Sequence, residues 1–206
     1  MSERYDPADI AARQAEIVGR PPRIEPLPNE ALGPELRASV DAISSSLGLV
    51  TPPVLDDYFR TVARNPAICR PQLELGAALF RGRLPARDRE LAVLRIGWML
   101  GAPYEWGEHV RIAYSCGVSA EEIGRTIGGA QAPGWSVHDA AILAAVEQML
   151  SRYAVADETW AVLARSWDDA QLVEFATVVA QYVATALIQN TLRIRLTDTN
   201  PGLTER

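Results

Sequence analysis

Residues 89–123 read RELAVLRIGWMLGAPYEWGEHVRIAYSCGVSAEEI, and two helices joined at a glycine account for most of it. Leu91, Leu94 and Trp98 recur at helical spacing, and Gly101 stops the first helix. A second starts after Pro103 and ends at Gly117. Ser119 then opens a third with a capping box, its hydroxyl accepting from the backbone while Glu122 reaches back.

Reading outward, the pattern stays helical and no strand alternation is convincing. PELRASVDAISSSLG begins with Pro34 and ends on Gly48, and VLDDYFRTVARN and PAICRPQLELGAALFRG follow, the latter predicted to be interrupted at Pro71. Downstream come SVHDAAILAAVEQMLSRY, DETWAVLARS and SWDDAQLVEFATVVAQYVATALIQN. In the last, Ala176, Ala180 and Ala184 form a stripe that serves either core packing or a subunit interface. Residues 1–34 read as an arm: a short helix over PADIAARQAEIVGR, then five prolines in PPRIEPLPNEALGP, which forbid regular structure. The expectation is an arm over 1–34 and one all-α domain over 35–206, with about seven to nine helices.

Composition narrows the function. The 206 residues are 48% hydrophobic and 22% charged, ordinary for a globular domain. All 20 basic residues are Arg, so lysine Schiff-base or lysine-base chemistry is excluded. A net charge of −6 argues against nucleic acid as the main partner. Two Cys make no disulfide scaffold, which points to the cytoplasm. The start, MSERYDPADI, carries charges where a secretion signal needs an apolar stretch. The apolar run FATVVAQYVATALI, 175–188, is read as a buried helix too short to span a bilayer, so no membrane is expected.

In the second helix Glu105, His109, Ile112 and Cys116 share a face. Glu105, one turn before His109, can orient the imidazole and raise its basicity. Glu108 is rotated away and is expected to face solvent. Glu90 shares a face with Val93, Leu94 and Gly97, and has two readings. A carboxyl group tilted among apolar side chains suits proton transfer, whereas pairing with Arg87 or Arg95 makes it structural. Cys116 lies at a helix end, where the dipole opposes a thiolate, and its possible partner Cys69 is remote. His138 is read as a first-turn surface residue, and no His or Cys cluster has metal-ligand spacing.

These 35 residues resemble the carboxymuconolactone decarboxylase family, which includes the alkylhydroperoxidase D proteins. Its redox members carry a Glu, eleven residues, C-x-x-C, three residues and a His. Glu90 and His109 fall on the Glu and His positions, while Ala102 and Glu105 fall on the two cysteines. The dithiol mechanism is thereby excluded, and YEWGEH marks a non-thiol subgroup. What the resemblance implies is a cofactor-independent decarboxylase, lyase or isomerase acting on a small carboxylated lactone or related acid of aromatic catabolism. His109 would be base or acid, Glu105 its orienter and Glu90 a second proton relay. An acidic substrate needs a cation, for which Arg95, Arg193 and Arg195 are candidates, with Tyr104 and Trp106 as pocket walls. The resemblance further implies a homo-oligomer, trimer or hexamer. The rival readings are a peroxidase-type antioxidant protein using Cys116, and a ligand-binding oligomer without catalysis.

Overall fold

The computed structural model describes residues 7–46, 50–51 and 53–204. Among them are ten α-helices and no strand, nine of the helices from Pro34 onward. They are α1 (Pro7–Val18), α2 (Pro34–Ser46), α3 (Asp57–Val62), α4 (Pro66–Phe80), α5 (Ala86–Met99), α6 (Pro103–Ser115), α7 (Ala120–Gly128), α8 (Val137–Arg152), α9 (Asp157–Leu163) and α10 (Asp169–Leu192).

Helix α5 is the axis. Every residue from Asp88 to Trp98 is buried, because α6, α7, α8 and α10 pack around it. Leu91, Val93, Leu94 and Ile96 meet Val110, Ile123, Ile142, Val146, Phe175 and Val178 from those neighbours. Each such side chain contributes roughly 1.5–3 kcal/mol of burial. Gly97 sets how closely α6 approaches, since a Cβ there would lie 3.3 Å from the Trp106 backbone nitrogen.

The caps are local, and that of α7 forms as expected. Ser119 and Glu122 make a reciprocal capping box on α7, as do Asp168 and Gln171 on α10. Ser136 accepts from the Asp139 amide at α8.

Four expectations are corrected. Helix α4 continues through Pro71. The proline forfeits one amide donor on an exposed side, while Cys69, Leu73 and Ala77 anchor the buried face. Helix α10 extends over 24 residues, long and apolar enough by itself to cross a membrane, yet 39% of its most apolar window is buried. Leu172, Phe175, Val178, Val179 and Tyr182 face the interior, whereas Val173, Ala180, Ala184 and Leu187 are exposed. The alanine stripe thus lies on the outer face rather than in the core. Finally, His138 is half-buried, its Nε2 3.1 Å from Asp88 Oδ2 and its ring edge-on to Trp167 at 5.0 Å.

The N-terminal segment lies over the helices. Ile10 joins the core, and Arg13 donates to the Gly101 and Leu100 carbonyls. The proline-rich stretch holds one short 3-10 turn, Asn29–Ala31. It is pinned by Arg23 N to Leu192 O and Leu27 N to Arg60 O.

Candidate active site

Helices α5, α6 and α10 carry a row of buried polar side chains. Arg89 and Glu90 are 2% and 0% exposed, Glu105 2%, His109 6% and Gln189 3%. Such groups are tolerated inside a protein when they satisfy one another. Arg89 Nε donates to Glu90 Oε1 at 2.9 Å. Glu90 Oε2 lies 2.7 Å from His109 Nδ1. On the other side of the ring, His109 Nε2 is 3.5 Å from Glu105 Oε1, while Gln189 Nε2 donates to Glu105 Oε2 at 2.7 Å.

Glu90 and Glu105 therefore exchange the ranks expected of them. Glu90 holds the imidazole in place through a short bond, and Glu105 stands beyond hydrogen-bonding range on the opposite nitrogen. Glu90 pairs with neither Arg87, which binds Asp139 and Glu122, nor Arg95. Aromatic rings fix the imidazole from its other directions. Tyr182 meets it edge-on at 4.9 Å, and Phe80 lies parallel to it at 6.4 Å while carrying Arg89 on its ring at 4.7 Å.

The electrostatics follow. Burial opposes a charged imidazolium, but the charge and hydrogen bond of Glu90, with Glu105 adding, outweigh it and raise the His109 pKa. Burial raises the Glu105 pKa as well, against the pull of His109 and Gln189. Both shifts favour the protonated form of the group, and both arise within one buried row.

A cavity of about 440 Å³ opens onto this row, bounded by α2, α3, α4, α6 and α10. Its walls include Leu55, Tyr58, Phe59, Leu73, Phe80, Tyr104, Ile112 and Tyr182, and its polar lining includes Asp56, Glu105, Glu108, His109, Arg111 and Gln189. The size is that of an ordinary small-molecule site. Glu108 does not face solvent as expected: Thr197 and Asn200 both donate to its Oε1 at 2.9 Å, and Arg111 to its Oε2.

Of the residues anticipated for substrate, Tyr104 lines the cavity, with its hydroxyl 3.1 Å from Asp56 Oδ2. The others stand elsewhere. Trp106 is wholly buried in the core, 5.1 Å from Trp98. Arg95 donates to the Thr126 and Ile127 carbonyls and pairs with Glu147 at 2.8 Å, closing the C-terminal end of α7. Helix-end carbonyls bind a guanidinium well, and that claims it. Arg193 is the left-handed cap of α10 (φ 56°), and Arg195 pairs with Asp57 at 2.6 Å; neither borders the cavity. Cys116, at the end of α6, is a free thiol 4.0 Å from Arg89 Nη2, with its pKa pushed up by burial and by Glu90. Among the described residues no group of three or more His, Cys, Asp and Glu side chains is arranged to hold a metal ion.

Three contributors escape a reading of the sequence: Arg89, Gln189 and Tyr182. Adjacent residues on a helix do not face one another, so the Arg89–Glu90 pair has no spacing signal. Gln189 is 84 residues from Glu105.

Comparison with known proteins agrees with this architecture. No curated protein sequence matches the chain. The structure is similar to a peroxidase-related protein of Ralstonia eutropha JMP134 described as an alkylhydroperoxidase AhpD core (TM-score 0.72, 18% identity, covering 87% of this chain and 94% of that one). It is also similar to a peroxidase-related protein of Silicibacter sp. TM1040 (0.70, 13%, 88% and 95%). A third likeness is to the debrominase Bmp8, solved with 2,3,4-tribromopyrrole (0.71, 16%, 86% and 92%). At these identities the likeness concerns the fold. The sequence profile of the Carboxymuconolactone decarboxylase family matches residues 70–148, the stretch from α4 to α8 that holds Arg89, Glu90, Glu105 and His109.

Proposed function

We propose that the chain is an acid–base enzyme of this family that needs no cofactor and moves a proton at a carbon beside a carbonyl group. Decarboxylation, lyase and isomerase reactions of small compounds from aromatic breakdown all contain that step. The observation that carries the reading is the buried row Arg89–Glu90–His109–Glu105, opening at His109 and Glu105 onto the cavity. His109 Nε2 is the atom that takes or delivers the proton. Glu90 orients the ring and stabilises its charged form, and Arg89 engages the other oxygen of Glu90 in the interior.

The thiol alternative has less support. Ala102 and Glu105 occupy the positions of the family's dithiol, and Cys116 is held as a thiol by its surroundings. The exposed apolar face of α10, with Val173, Ala180, Ala184 and Leu187, supports assembly into a homo-oligomer, which light scattering on purified protein would count.

The test is solvent deuterium exchange into small cyclic ketones and lactones, followed by proton NMR. Wild-type protein should catalyse exchange at the carbon beside the carbonyl, and His109→Gln should lower the rate by about 10²-fold or more with helical content unchanged. Equal rates in the two proteins would remove His109 from the chemistry.

A further inference from the structure

Two acceptors without a partner lie just behind the cavity wall. Glu105 Oε1 and Gln189 Oε1 are both buried and without a hydrogen-bond partner, and both residues line the cavity. The amide orientation of Gln189 is set by its own bond. Its Nε2 donates to Glu105 Oε2 at 2.7 Å, which leaves the amide oxygen as the orphan. Glu105 Oε1 stands 3.5 Å from His109 Nε2, short of bonding to it. An unsatisfied buried acceptor is costly, so two on neighbouring side chains select an occupant that brings hydrogens.

The charge around the cavity points the same way. Asp56, Glu105 and Glu108 line it, against Arg111 and the imidazole. Arg111 is half-exposed and engaged by Glu108 at 2.9 Å. The guanidinium groups of Arg95, Arg193 and Arg195 belong to other parts of the fold, as shown above. Arg89 is buried behind Glu90 and does not line the cavity. A carboxylate on the floor would meet Glu105 and an amide oxygen instead of a cationic fork. The remaining walls are aromatic and aliphatic, including Tyr58, Phe80 and Tyr182.

We infer that the substrate is a small neutral ring carrying an O–H or N–H donor, read by Glu105 Oε1 and Gln189 Oε1, and not a carboxylate anchored on arginine. This rests on the reading of the cavity as the acid–base site. It replaces the acidic substrate expected from the family resemblance with one whose donor is held beside the imidazole.

The test uses three ring probes that differ in one substituent: 2-naphthol, 2-methoxynaphthalene and 2-naphthoate, titrated calorimetrically into the full-length protein. The titration is run at about pH 7.5, where a phenolic hydroxyl keeps its proton. 2-Naphthol should bind roughly tenfold or more tightly than the ether, since it alone brings a hydrogen to the two unpaired oxygens. 2-Naphthoate should bind most weakly. In Glu105→Gln the new amide keeps its oxygen towards Gln189 and offers its NH₂ to the cavity, so the preference for naphthol over the ether should be lost. In Gln189→Leu it should be reduced.

Equal binding of naphthol and ether would mean that water satisfies the two oxygens, and would overturn the inference. So would naphthoate binding as tightly as naphthol, a naphthol preference surviving both substitutions, or no binding of any probe. His109→Gln separates this inference from the functional reading. If it retains the naphthol preference while deuterium exchange proves independent of His109, the acid–base reading falls alone. If exchange depends on His109 and the preference is absent, the inference about the donor falls alone.

Discussion

The Nδ1 atom of His109 on α6 lies 2.7 Å from Oε2 of Glu90 on α5, and Arg89 engages the other oxygen of that carboxylate at 2.9 Å. Glu90 is thus the hub of three buried groups, and its removal is not equivalent to the removal of either partner. Breaking a buried pair by deleting one member leaves an uncompensated charge, which costs about 3–5 kcal/mol. Arg89→Met should therefore lower unfolding free energy by about that amount, measured by urea denaturation. Arg89→Met combined with Glu90→Gln should be destabilised by less than the two single changes added together. Strict additivity would show that the pair is not coupled.

Titration of His109 makes stability depend on pH in a definite direction. Its folded-state pKa is raised, because Glu90 and Glu105 outweigh the burial that opposes imidazolium. A raised pKa means that the folded state holds the proton more tightly than the unfolded chain does. The resulting stabilisation is complete below the unfolded value of about 6.5 and is lost as pH rises through the folded value. Glu105, also raised, acts in the same sense from its own, lower unfolded value upward. Denaturation midpoints measured from about pH 6 to pH 9 should fall with pH in the wild type. The fall should be shallower in His109→Gln. Glu90→Gln, which removes the stabilising charge, should lower the imidazole pKa in an NMR titration.

What the sequence shows is governed by how local the interaction is. The cap at Ser119–Glu122 spans three residues and was legible, because a helix start fixes both partners. The all-helical fold was legible from periodicity, and so was the shared face of Glu105 and His109, whereas Glu90 had two readings. The order of the row was not. Whether Glu90 or Glu105 binds the imidazole depends on how far α5 approaches α6, which Gly97 controls through its missing side chain. Arg95 was misread for a related reason. The need for a cation is chemical, but the guanidinium goes to the Thr126 and Ile127 carbonyls that α7 brings within reach.

Gly107, inside the YEWGEH segment, is required by packing and not by backbone freedom. A Cβ there would collide with the Asn200 side chain, which bridges the Tyr104 carbonyl at 3.0 Å and Glu108 at 2.9 Å. Gly107→Ala should destabilise by about 1–3 kcal/mol, the usual cost of overpacking. It should also loosen the cavity wall formed by Tyr104 and Glu108. Gly107→Ala with Asn200→Ala relieves the collision, so the second change should cost less in the variant than in the wild type. Chemical denaturation of the four proteins in that cycle checks this. Full additivity would place the role of Gly107 elsewhere.

Tyr153 offers a prediction that leaves the site untouched. It caps α8 in the left-handed region, with φ 62°, and is 91% exposed. A side chain in that conformation is strained by about 1–2 kcal/mol, and an exposed ring has little packing to lose. Tyr153→Gly should raise unfolding free energy by about 1 kcal/mol, less the entropy that glycine returns to the unfolded chain. Thermal unfolding should shift upward with deuterium exchange unchanged.

Cys116 separates the acid–base account from a thiol account. Burial and Glu90 hold its pKa above that of an ordinary thiol, so the reactive thiolate is scarce at neutral pH. Its position at the C-terminal end of α6 opposes the anion further. Cys69, the other free thiol, is buried on α4. Cys116→Ser should therefore leave His109-dependent exchange within about twofold of the wild type and leave peroxide consumption at its background level. Arg89, which approaches Sγ at 4.0 Å, keeps its stronger bond to Glu90, so the row remains intact in the variant. A peroxide activity that disappears with the thiol would instead make Cys116 the reacting group and relegate His109 to its electrostatic neighbour.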